Sequence, residues 1–136
     1  MKPAVIRQVK SLSMSCDRVG NLLLTKFSSQ GASDLAVHIP ANIVFWLLKH
    51  LPVNRDPQLK APPAGPFIGQ MDWENPTTPR AAYVNCKELP GAIRMTFTLE
   101  GKLPDMTVVL DRGNVELMRQ IMAMYTKDLI DLDAQQ

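Results

Sequence analysis

The chain is poor in the residues from which chemical sites are commonly built. It has two cysteines, Cys16 and Cys86, and two histidines, His38 and His50, scattered along 136 residues. Two thiols make no disulfide framework, and there is no CxxC or Cys/His cluster. Nor do they form a convincing set of zinc ligands. No metal site and no cofactor is expected, and both thiols read as half-buried strand residues. The seven glycines stand singly in turns, which excludes a P-loop or a GxGxxG phosphate cradle. Ser11, Ser13 and Ser15 alternate along a strand, and no GxSxG elbow accompanies them. The carboxylate pairs Asp105/Asp111 and Asp131/Asp133 lie at strand ends or in a tail, without a buried partner that would shift a pKa. These absences point away from catalysis, and a non-enzyme is expected.

Long apolar runs are missing too. The longest is residues 43–48, far below the roughly 20 residues that span a bilayer. The opening MKPAVIRQVKSLSMS has no continuous apolar core of the kind a signal peptide needs. A soluble, cytoplasmic protein with no membrane partner is the expectation.

What is present is ordinary in amount and uneven in placement. Hydrophobic residues make up 46% and charged residues 21%, values of a globular domain, and the length suits one domain with its own core. Net charge is +2, yet residues 1–33 hold five basic groups against Asp17 alone, while residues 100–136 hold seven acids against four bases. Such asymmetry can steer an anionic partner toward one end.

Period-two alternation marks the strands. Residues 5–16 read as one long strand with Leu12, Met14 and Cys16 on one face. Residues 22–28 return, although three consecutive leucines leave open whether Leu23 or Leu24 faces inward. Leu35, Val37 and Ile39 form the inner face of a third strand. Pro40 then suits the first turn of a helix, where its missing N–H costs nothing, and Pro52 stops that helix after about His50. In the second half, Ala82, Val84 and Cys86 alternate with Tyr83 and Asn85. Ile93, Met95, Phe97 and Leu99 alternate with Arg94, Thr96 and Thr98. Met106, Val108 and Leu110 give a last strand, and a helix follows over about 113–129, capped by Asp111 or Asn114.

The two halves match position by position at Cys16/Cys86, Gly20/Gly91, Phe27/Phe97, Gly31/Gly101, Val37/Val108 and Asn42/Asn114. The turn glycines align along with the hydrophobic residues, so the chain reads as a βββα unit occurring twice. The expected fold class is α+β: a six-stranded, mostly antiparallel sheet with both helices on one face. The first repeat covers 5–51 and the second 81–130, with a proline-rich arm over 52–80 and an acidic tail over 131–136. Seven prolines stiffen the arm, and Phe67 and Trp73 supply it with apolar groups for docking.

Two surfaces stand out. The first helix is apolar on all sides, which implies cover beyond what one sheet provides. Val44, Phe45, Trp46 and Leu48 are therefore the candidate contacts of a homodimer. The sheet face opposite the helices carries Arg7, His38, Tyr83, Arg94 and Thr96, groups that could hold a phosphate backbone and stack a base. The sequence thus points to a protein-interaction module, homodimeric and binding an unidentified partner protein. The alternative is a single-stranded nucleic-acid-binding protein that uses the polar sheet face.

Overall fold

The structure, a computed structural model, describes residues 5–17, 22–29, 31–52, 78–126 and 129. The arm's Phe67 and Trp73 and the acidic tail lie outside the described residues. The elements in order are β1 (Val5–Gln8), β2 (Ser11–Asp17), β3 (Leu22–Ser29), β4 (Ala32–Pro40), α1 (Ala41–His50), β5 (Ala81–Leu89), β6 (Ala92–Leu99), β7 (Met106–Asp111) and α2 (Arg112–Tyr125). The class is α+β.

The strands do not form one six-stranded sheet. They form two: β1-β7-β6-β5, with β1 parallel to β7, and the antiparallel β2-β3-β4. The reason lies in the stretch expected to be a single strand over 5–16. Val9 and Leu12 are both buried, although a regular pleat would send them to opposite faces. The phase slips by one residue between them, and the chain changes partners there. The Val9 amide donates to the Val109 carbonyl at 2.9 Å, while the Lys10 amide donates to the Ser28 carbonyl at 2.8 Å. One margin of each sheet is thus joined through this bend. At the other margin the His38 amide donates to the Pro79 carbonyl at 2.9 Å, and His38 bridges Arg80 in parallel.

One cluster of buried apolar side chains takes residues from both sheets and both helices. Phe27 of one sheet and Phe97 of the other pack in it with ring centroids 6.2 Å apart. Strand β6 alternates without a fault, burying Ile93, Met95, Phe97 and Leu99 and exposing Arg94 and Thr98. Between β5 and β6 the turn is two residues long; Gly91 takes a φ of +72°, open to glycine at no steric cost, after a proline that fixes its own φ. In β3 both disputed leucines are buried. Leu23 joins the main core, and Leu24 sits on the other face beside His38, its register partner.

The helices do not share one face of one sheet. Helix α1 packs on β3, β4 and α2, whereas α2 lies across β2, β6 and β7 and so touches both sheets. Pro40 stands one residue ahead of α1 as an extended N-cap without a side-chain cap bond. Asp111 caps α2: its Oδ1 accepts from the Asn114 amide at 2.8 Å and from Asn114 Nδ2 at 3.2 Å. Asn114 Nδ2 also reaches the Lys10 carbonyl at 3.3 Å, which ties the helix start to the bend between β1 and β2.

Candidate functional site

On α1 the burial of each position can be read around the helix at about 100° per residue. Ala41, Ile43, Val44 and Leu47 fill the inward arc, and Phe45 and Leu48 lie half-buried at its margins against the core cluster. Asn42, Trp46, Lys49 and His50 make up the exposed arc. The helix is therefore amphipathic in place, not apolar on every side. Val44, expected at a subunit contact, is fully buried within its own chain. Of the four candidate contact residues, Trp46 alone is exposed, at 38%.

The Trp46 ring is not loose. It stacks on the His50 imidazole with centroids 4.1 Å apart and planes 20° from parallel. His50 is held in turn by a 2.8 Å bond between its Nδ1 and the Trp46 carbonyl. A carbonyl can only accept, so Nδ1 carries the proton in this arrangement.

The polar sheet face comes out divided. On the four-stranded sheet Tyr83, Asn85, Lys87, Arg94 and Thr98 are exposed on one side, Tyr83 by 72%. The register sets Tyr83 opposite Thr98, Asn85 opposite Thr96 and Lys87 opposite Arg94. Thr96 is half-buried, and its hydroxyl is 3.1 Å from that of the buried Thr107, so part of its hydrogen-bonding capacity is already used. His38 belongs to the other sheet and is 8% exposed, which removes it from any wet face. Its backbone joins the two sheets instead. Arg7 stands on β1 with Val108 as its register partner. The structure thus brings Tyr83, Arg94 and Thr96 together and separates His38 from them.

Asn85 and, beyond the residues expected there, Lys87 stand on that face as well. Both share the parity of Tyr83 on its strand, a signal that was available in the sequence. The Lys87/Arg94 pair is electrostatically uncommon, since like charges directly opposite one another destabilise a sheet. Neither has an ion-pair partner among the described residues, in contrast to Arg80, which meets Glu100 at 3.2 Å, and Arg119, which meets Glu116 at 3.2 Å.

On the inner side of β5, Cys86 lies half-buried against the core, and desolvation there pushes its thiol up to about 11. A thiol so placed stays protonated at neutral pH and is a poor nucleophile. Among the described residues, no group of three or more His, Cys, Asp or Glu side chains could hold a metal ion, and no helix is long and apolar enough to cross a membrane. Compared with known proteins, the chain matches no family model, no curated protein and no solved structure.

Proposed function

We propose that the protein is a non-catalytic interaction module, homodimeric, that acts by binding a partner protein. The observation that supports this reading is Trp46, a large aromatic left in water on a helix whose other apolar side chains are covered or half-covered. Aromatic anchors of this kind carry much of the energy of protein interfaces. The stack on His50 holds the ring in place beforehand, which reduces the rotamer freedom lost on binding. Immobilised full-length chain is expected to retain a specific polypeptide that the Trp46→Ala chain does not retain. The urea stability of the variant should stay within about 1 kcal/mol of the parent. Equal retention by the two proteins would remove this reading.

The Lys87/Arg94 pair favours a second reading, a protein that binds single-stranded nucleic acid. Two cations that face each other without an ion-pair partner among the described residues attract a phosphate backbone, and the Tyr83 ring on the same face offers a stacking surface. A single-stranded oligothymidylate would then bind in a salt-sensitive manner, and more weakly to Arg94→Ala and Tyr83→Ala. No binding at low salt would end this alternative.

We also read the two strand-strand-strand-helix runs as copies of one unit within a single domain. Gly31 and Gly101, matched in the two halves, both take left-handed backbone, with φ of +75° and +82°. The copies have diverged at their helix starts: Asn114 is buried, while its counterpart Asn42 is exposed.

A further inference from the structure

Strand β5 ends its sheet. On one side it pairs with β6 along its length, and on the other the parallel bridge from Arg80 to His38 lies just ahead of it. Over residues 82–89 no backbone hydrogen bond joins its outer side to any described residue. Such a row of N–H and C=O groups is a template for another strand. The side chains along it also suit pairing. Tyr83, Asn85 and Lys87 stand exposed on the outer face, and Val84 and Cys86 are half-buried on the core face.

We propose that a second copy of this chain pairs there, β5 against β5, antiparallel about a two-fold axis at Asn85, joining the two four-stranded sheets into one. This rests on the homodimeric reading above. It moves the contact between copies from α1 to the sheet edge and leaves Trp46 for the other partner.

The register follows from elimination. A two-fold axis perpendicular to the sheet has to pass at a residue, so that outer face meets outer face. With the axis at Val84, the incoming strand would run over Arg80, where β4 already sits. An axis at Cys86 would set Tyr83 against Leu89 and Lys87 against Asn85, leaving the cation without an aromatic ring to face. An axis at Lys87 would bring two ammonium groups face to face. At Asn85, Tyr83 of each copy faces Lys87 of the other, a cation on an aromatic ring. Val84 meets Cys86 on the core side, covering what each still exposes. This register makes the edge complementary to itself.

Sedimentation of the full chain and three variants tests the proposal. The parent should be a dimer. Tyr83→Lys sets like charges opposite each other at two symmetric places and should weaken the dimer by roughly tenfold or more. Adding Lys87→Glu to it, which restores opposite charges in this register alone, should bring dissociation back to within about threefold of the parent. Tyr83 is largely in water, so its replacement leaves the fold intact, which circular dichroism checks. A monomeric parent would overturn the homodimeric reading and this inference with it. A dimer that Trp46→Ala dissociates, and Tyr83→Lys does not, would keep the homodimer and overturn the β5 contact. Failure of the double variant to recover would overturn the Asn85 register.

Discussion

At the scale of single residues, burial decides chemistry. Cys86 is the clearest case: desolvation raises its thiol to about 11, whereas in the unfolded chain it ionises near the ordinary value of about 8.5. Above the unfolded value, the unfolded chain has given up a proton that the folded chain still holds. The stability linked to this group is thus complete below the unfolded pKa and is lost as pH rises toward 11. The gap in urea midpoint between the parent and Cys86→Ala should accordingly shift against the parent from pH 8 to pH 10.5. A constant gap would show that burial leaves the thiol unshifted. The same desolvation predicts slow alkylation of Cys86 by iodoacetamide at pH 8 in the folded chain, and rapid alkylation in urea.

Elements show how far side-chain pattern can be trusted. The six-residue apolar run of α1 reads as an excess, but most of it has a place. Ile43, Val44 and Leu47 enter the core, and Phe45 and Leu48 seal the margin. A ten-residue helix wedged between two strands of one sheet and a neighbouring helix has more than one side to bury. In α2 the start depends on polar groups. Asp111 accepts from both the amide and the side chain of Asn114, and that side chain reaches on to the Lys10 carbonyl. Asp111→Ala is therefore expected to cost about 1–2 kcal/mol, measured by urea unfolding. Loss under about 0.3 kcal/mol would mean that water replaces the cap.

For the whole molecule, the central fact is a core shared by two sheets. Phe27 and Phe97, matched positions of the two halves, meet in it and are both fully buried. Removing either ring leaves a cavity bounded by both sheets and should cost about 3–5 kcal/mol in Phe27→Ala or Phe97→Ala. The pair should also couple. The double variant is expected to lose about 0.5 kcal/mol or more less than the sum of the singles, since the second deletion enlarges an existing cavity. Strict additivity in urea denaturation would place the two rings in separate cores.

By itself the sequence determined what is local. Alternation placed the inner faces of β4, β5, β6 and β7, glycine placed the turns at Gly31, Gly91 and Gly101, and Pro52 ended α1, because pleat and turn geometry act over a few residues. It also contained the surface group of Tyr83, Arg94 and Thr96, whose parity along neighbouring strands brings them to one face. Only the tertiary structure decided which strand pairs with which, since a backbone hydrogen bond carries no mark of its partner's identity. That choice split the sheet at Val9 and Lys10, took His38 out of water and Val44 out of any interface, and left β5 as an edge.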